Sequence, residues 1–312
     1  MLTRRIFVTP RSLSRCGHPA LDRLRAAGYE VAFCTPGRQP EEEELLRLLP
    51  GCLGYLAGVE RISARVLETA AGLKAISRNG TGVDNVDLAA AARLGIAVLR
   101  ADGANARGVA ELTIGLMLAL TRHIPRCDQH MKAGRWERWE GIELAGRCLG
   151  LVGYGRIGRL VAELSLGLGM RVVAYDPLAR PEPSRQERFC LVPVLEEVLG
   201  QADVLSLHCP PPADGQPLLT RERLALLKPG TYLINMARGE LLDDAAVLAA
   251  LEQGRLAGAA LDAYRREPPG DDPLVRHEQV IATPHIGAYS RESVARAVEV
   301  AVDNLLSALH DN

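Results

Sequence analysis

The chain has 312 residues, 47% hydrophobic and 24% charged, with 37 basic side chains against 38 acidic ones and a formal net charge of −1. That balance gives no global pull toward nucleic acid or an anionic membrane, and the length is that of two ordinary domains. The sequence holds no run of about 20 apolar residues for a transmembrane helix, and Ile6-Phe7-Val8 is too short an apolar stretch for a secretion signal.

Strand-like and helix-like segments alternate from the start. RRIFVT (4–9) is a short apolar run, PALDRLRAAG (19–28) an amphipathic helix closed by Gly28, and YEVAFC (29–34) a strand again. EEEELLRLL (41–49) reads as a helix whose acids sit at its positive end, a solvated start rather than a metal site. CLGYLAG, LKAIS and IAVLR supply further strands, with helices near 63–70 and 87–94. VAELTIGLMLAL, within 107–121, is helical but apolar on all sides, so it must be buried between domains or against a second subunit. A second series runs from Cys148 to about residue 283, with strands CLGLVG, RVVAYD, DVLSLH, TYLIN, LAGAALD and QVIATP. A long amphipathic helix is expected over 289–309. The rhythm implies parallel sheets covered on both faces, an α/β fold. Seven scattered cysteines, with no CxxC and no histidine at zinc spacing, read as reduced thiols in a cytoplasmic protein without a metal.

LGLVGYGRIGRL (149–160) follows a turn and opens a helix, and Gly153, Gly155 and Gly158 form GxGxxG. The first glycine permits a tight turn, the second lets backbone approach a pyrophosphate, and the third lets helix pack on strand. The helix start, at Arg156 and Ile157, offers N–H groups and a positive dipole to phosphates. The next strand ends in Asp176, where an acid accepts from ribose hydroxyls and repels a 2′-phosphate. Pro177-Leu178-Ala179 place no cation beside it, so NAD is favoured over NADP.

Hydride transfer between an alcohol and NAD needs a base for the hydroxyl proton and a cation for the substrate's anionic group. Arg238 lies just past TYLIN, Asp262 ends LAGAALD with Glu267 following, and His285 lies past QVIATP. Taken singly, these read as a surface charge, a solvated turn and a structural histidine. At successive strand ends of one nucleotide domain, they point to a site, because open α/β sheets bind ligands outside the carboxyl ends of their strands.

SRNGTGVDNVD (77–87), GANARGVAELT (103–113), LGLVGYGRIG, INMARGE, AALDAYRREP and TPHIGA together resemble the D-isomer-specific 2-hydroxyacid dehydrogenases, and within them the 3-phosphoglycerate dehydrogenase branch. The resemblance implies two doubly wound parallel-sheet domains. A Rossmann NAD domain (102–285) would be inserted into a flavodoxin-like substrate domain (1–101 and 286–312), with hinges near 101 and 286. It implies an NAD-dependent oxidoreductase on a 2-hydroxy or 2-oxo acid, with 3-phosphoglycerate or a similar anion among the candidate substrates. His285 would be the acid/base, Glu267 would orient its imidazole, and Arg238 would grip the substrate carboxylate and polarise the C2 oxygen. Asp262 would face the nicotinamide carboxamide. His208, Cys209, Pro210, Ala237 and Gly287 would complete the cofactor site. Arg78, Asn79, Gly80, Thr81 and Gly82 would meet the substrate, the glycine-rich turn acting as an anion nest. A homodimer through the 107–121 region is implied, with no nucleic-acid or membrane partner.

The chain departs from the family pattern at HCPPPADGQPLLT, where Pro212 and Gly215 replace hydroxyl-bearing residues, at Arg100-Ala101-Asp102-Gly103, and at Tyr289. The substrate's far end depends on Arg11, Arg78 and Arg100. If they converge, a phosphate or other anion is expected. If they do not, a small neutral chain suits better, as in a hydroxypyruvate or glyoxylate reductase. The chain ends at Asn312 with no added regulatory domain, so feedback through one is not expected. An NAD(H)-sensing interaction protein of the corepressor type is the reading from a different class.

Overall fold

The computed structural model describes residues 4–179 and 187–310. Packing divides the chain into Met1–Asn105 with Arg291–Asn312, and Ala106–Ser290. The crossings fall a few residues beyond 101 and 286 for a local reason. Ala101 and Ala104 pack with Ala297, and Arg296 Nε donates to the Ala104 carbonyl at 2.9 Å. Ile286 and Gly287 are tied instead to Asp262 in the second unit.

In the first unit, β1 (Arg5–Val8), β2 (Glu30–Phe33), β3 (Gly54–Ala57), β4 (Ala75–Arg78) and β5 (Ala97–Arg100) form a parallel sheet in the order β2-β1-β3-β4-β5. This is the flavodoxin-like order, with the winding reversed between β1 and β3. Side chains alternate across a strand, so each strand feeds two cores. Ile6, Val8, Leu56 and Ala75 pack with Leu21 and Leu24, and with Val298, Ala301, Val302 and Leu305 of the helix Arg291–His310. The spacing of those last four is that of one helical face. Phe7, Tyr55, Ala57 and Ile76 pack on the other side with Leu45, Leu49, Val66, Leu67 and Ala91. Each fully buried leucine contributes about 1.5–3 kcal/mol.

In the second unit, the strands are β6 (Cys148–Val152), β7 (Arg171–Tyr175), β8 (Phe189–Val192), β9 (Val204–Leu207), β10 (Thr231–Asn235), β11 (Leu256–Leu261) and β12 (Val280–Ala282). All pair in parallel, in the order β12-β11-β10-β9-β6-β7-β8. β8 is not among the expected strands: it is four residues long, pairs only with β7 at the sheet edge, and leaves Cys190 exposed.

The helix Ala106–Thr121 buries Val109, Ala110, Leu116, Met117 and Leu120 against this unit's own sheet and the helix Arg156–Gly167. Gly258 makes room for it, since a Cβ there would come within 2.9 Å of Leu120 Cδ1. Its apolar face is therefore satisfied within one unit and needs no second subunit. On the opposite face, Val198, Leu199, Leu224, Val247 and Leu251 cover Cys148, Val152, Val173, Leu205, Leu233 and Leu261. The helix Ile124–Lys132, which was not expected, buries no residue. Among the described residues, no helix is long and apolar enough to cross a membrane.

Candidate functional site

In a parallel sheet all carboxyl ends share one edge, and in the second unit the winding reverses between β6 and β9. Gly153 follows β6 with φ +97°, and a Cβ on it would lie 2.5 Å from the His208 carbonyl past β9. A Cβ on Gly158 would overlap the Gly153 carbonyl, so the helix can start this close to the strand only with glycine there. Gly155 caps the helix Arg156–Gly167 without a side-chain hydrogen bond, and a Cβ at Gly155 would meet nothing within 4 Å. The turn thus presents open space in front of an uncapped helix start, which fits the pyrophosphate of a dinucleotide.

Asp176 follows β7 and its carboxylate is held from both sides. Oδ2 accepts from the Tyr154 amide and Oδ1 from the Leu178 amide, both at 2.8 Å. Past β9, His208 Nε2 lies 2.8 Å from Ser206 Oγ, while its Nδ1 is buried with no partner among the described residues. Burial depresses the imidazole to about 3, so His208 is neutral. Burial also pushes the neighbouring Cys209 thiol up to about 11, which keeps it protonated. An orphaned buried nitrogen beside the glycine turn further fits a site built for a polar ligand.

Past β10, the buried Asn235 shapes the turn: its Oδ1 accepts from the Ala237 amide at 3.1 Å and its Nδ2 donates to the Arg238 carbonyl at 2.8 Å. Arg238 is extended, with φ −145°, and its Nη1 donates to the Ala237 carbonyl at 2.8 Å. A Cβ on Gly239 would overlap the peptide between Tyr264 and Arg265, so glycine lets the loops after β10 and β11 touch.

The loops after β11 and β12 meet at Asp262, which is 2% exposed. Its Oδ1 accepts from Thr283 Oγ1 at 2.6 Å and the Ile286 amide at 2.8 Å, and its Oδ2 from the Gly287 amide at 2.8 Å. A Cβ on Gly287 would come within 3.0 Å of that same oxygen. Asp262 therefore clamps the segment that carries His285. His285 has φ 53°, left-handed backbone that is uncommon outside glycine and that histidine shares mainly with asparagine and aspartate. Its Nδ1 lies 2.9 Å from both Glu267 oxygens, and nearly half of its side-chain surface is exposed. Arg238, Glu267 and His285 follow three adjacent strands on one sheet edge, with Glu267 and His285 in direct contact. Sequence reasoning passed over Asn235, Tyr264 and Thr283, whose only signal is a polar side chain at the end of an apolar strand.

In the first unit, Arg78 ends β4 and is 7% exposed. Its Nε donates to the Gly82 carbonyl at 2.9 Å, and its Nη1 to the Ala57 carbonyl at 3.3 Å and to the Gly58 carbonyl. It holds the 79–82 turn against the loop after β3. The Asn79 amide donates to Ala57 at 2.9 Å, the Gly80 carbonyl accepts from the Ala101 amide at 2.9 Å, and Thr81 Oγ1 lies 3.4 Å from Asn105 Nδ2. Arg100 pairs with Asp102 at 2.9 Å and Arg11 donates to Gln39 at 2.9 Å. The three cations are each bound to different partners.

Comparison with known proteins gives the family and the fold. Residues 114–287 match the model of the D-isomer specific 2-hydroxyacid dehydrogenase NAD binding domain. The chain is 42% identical to D-3-phosphoglycerate dehydrogenase from Sus scrofa over 83% of its own length and 49% of the relative's, so it spans about half of that protein. It is 37% identical to hydroxypyruvate reductase from Thermotoga maritima over 86% of this chain and 89% of that one. The crystal structure of the TT0316 protein from Thermus thermophilus superposes with a TM-score of 0.88 at 40% identity, covering 99% of this chain and 97% of the other.

Proposed function

The chain belongs to the D-isomer-specific 2-hydroxyacid dehydrogenase family, and on that premise we propose that it interconverts a 2-hydroxy acid and its 2-oxo acid with NAD(H). When bound, the nicotinamide accepts or supplies the hydride. The observation that carries the reading is the pairing of His285 Nδ1 with both Glu267 oxygens at 2.9 Å. With Nδ1 taken, Nε2 is the ring nitrogen that gives a proton to the C2 oxygen during reduction and receives it during oxidation. Arg238 binds the substrate carboxylate through its planar fork and polarises the C2 oxygen. With the Asn79 amide taken by the Ala57 carbonyl, the backbone amides of 80–82 are assigned as a second anion contact.

Two observations bear on the substrate's far end. The buried Arg78 is occupied with backbone carbonyls, and Arg100 and Arg11 have their own partners. This favours a small neutral group at C3, as in hydroxypyruvate or glyoxylate. The identity to phosphoglycerate dehydrogenase supports the phosphorylated alternative. An NADH-oxidation screen over hydroxypyruvate, glyoxylate, pyruvate and 3-phosphohydroxypyruvate decides. The expected result is a kcat/KM for a neutral substrate at least ~10-fold above that for the phosphorylated one. The opposite ranking transfers the assignment to 3-phosphoglycerate. Turnover of none, with NADH still bound, leaves the sensor reading.

NAD is chosen over NADP because the Asp176 carboxylate beside the glycine turn repels a 2′-phosphate. Asp176→Ala raises the NADPH-to-NADH ratio of kcat/KM by ~10-fold or more; an unchanged ratio assigns the choice to another residue. The seven cysteines are free thiols, which fits the expected cytoplasmic setting.

For the expected homodimer we propose a contact that takes in the helix following 107–121. Ile124 and Met131 are 53% and 52% exposed, and Trp136 just beyond is 79% exposed. A second copy covering this apolar strip would account for a helix with no buried residue. Sedimentation gives twice the chain mass, and Met131→Glu with Trp136→Glu gives monomers; a monomeric wild type at micromolar concentration ends this part of the reading.

A further inference from the structure

Tyr264 has no part in the proton and hydride chemistry above, yet it touches all three segments that carry the proposed catalytic residues. Its hydroxyl lies 2.9 Å from two carbonyls, Leu261 at the end of β11 and Thr283 past β12. The Thr283 carbonyl also accepts the His285 amide at 2.9 Å, so the hydroxyl holds the short turn from which the imidazole projects. The backbone amide of Tyr264 donates to Glu267 Oε1 at 3.2 Å, one of the two oxygens that meet His285. Its backbone also lies where any Cβ on Gly239 would fall, directly behind Arg238.

From these contacts we propose that Tyr264 is a positioning residue that sets the register of His285 against Glu267, and that its hydroxyl, rather than its ring alone, performs this. The inference rests on the catalytic reading given above. The physical argument is one of backbone geometry. His285 occupies a left-handed conformation that costs a non-glycine residue of order 1 kcal/mol or more, and such a state persists only when its surroundings over-determine it. Asp262 fixes the segment on both sides of His285, through Thr283 Oγ1 before it and through the Ile286 and Gly287 amides after it, but does not hold the Thr283 carbonyl. The Tyr264 hydroxyl holds that carbonyl, and without it one end of the strained turn loses a tether. The ring packs beside the core of the second unit and would anchor the loop even as phenylalanine. Burial, with the nearby Asp262 charge second, pushes the phenol up to about 12, so the hydroxyl remains a donor throughout the working pH range.

Tyr264→Phe is the test, since it removes one oxygen and keeps the ring. In the full-length protein, kcat for the best 2-oxo acid falls ~10-fold while substrate KM and NADH affinity stay within about 2-fold, because only the alignment of the proton donor has changed. A loss placed wholly in KM or in NADH affinity overturns the proposal, as does a kcat within about 2-fold of wild type. A double-mutant cycle separates positioning from plain stability: in a Glu267→Gln background, Tyr264→Phe costs less than about 2-fold more, because the pair it aligns is already broken. Additive losses overturn it. Hydrogen exchange in the protein without substrate gives a readout free of turnover, with the amides of Thr283, His285, Ile286 and Gly287 exchanging ~10-fold faster in the variant. Unchanged exchange overturns the tether whatever the enzyme's substrate proves to be, whereas failure of every 2-oxo acid with the wild type would count against the catalytic reading alone.

Discussion

Replacing His285 with alanine lowers kcat for 2-oxo acid reduction by roughly 10²–10⁴-fold and leaves NADH affinity near wild type. The imidazole carries the ring nitrogen that gives the proton to the C2 oxygen and takes it back. Its Nδ1 is already committed to Glu267, which makes Nε2 the working atom. Alanine carries a second defect, because φ 53° disfavours any side chain with a Cβ and no local hydrogen bond. His285→Asn separates the two effects: asparagine tolerates the left-handed backbone and cannot relay a proton. Equal losses in both variants, read by single-turnover kinetics, assign the effect to the imidazole. Turnover that survives the combined loss of His285 and Arg238 removes the mechanism.

Gly239→Ala has the next largest expected effect. Its Cβ would overlap the backbone joining Tyr264 to Arg265, and two peptide backbones cannot yield as the tip of a long side chain can. The loops after β10 and β11 must part, which moves Arg238 on one side and the Tyr264–Glu267 segment on the other. A displacement of ~1 Å between reacting groups costs about 10²-fold, so kcat/KM falls by at least ~10², with a lower melting temperature. Gly115→Ala is the control. Gly115 lies in the helix Ala106–Thr121 with nothing within 4 Å of a new Cβ, so alanine there is neutral or stabilises by up to about 1 kcal/mol. Wild-type activity in Gly239→Ala would mean that the close approach does not shape the site.

The strands that bury both faces were readable in the sequence because parallel sheets leave near-continuous apolar runs, as in CLGLV and TYLIN. The glycine turn was readable because each of its glycines answers a separate steric demand. β8 was not, since FCLV is short, half-exposed, preceded by polar residues and closed at once by Pro193. The helix Ile124–Lys132 escaped notice for a related reason: in IPRCDQHMK only Ile124, Cys127 and Met131 are apolar, and none of them is buried. Arg238, Glu267 and His285 could be placed at strand ends, but the order of the strands and the hydrogen bonds between their loops are long-range facts. The clamp from Asp262 to Gly287, and the contact of Gly239 with Tyr264, join segments that no local pattern connects. Arg78 shows the reverse case. A cation in a glycine-rich context read as an anion contact, and the structure shows its Nε and Nη1 donating to backbone carbonyls, bonds that no local pattern announces.

The bare start of the helix Arg156–Gly167 has a thermodynamic corollary. A serine or aspartate cap at that position stabilises ordinary helices by roughly a few tenths of a kcal/mol over glycine, and Gly155 forgoes it. The dinucleotide returns that missing stabilisation on binding, so folding and occupancy are linked. A cell whose pool of this nucleotide runs low would carry a larger fraction of chains locally open around 153–160. Turnover of the protein would then report on supply of the coenzyme, with no dedicated sensor needed.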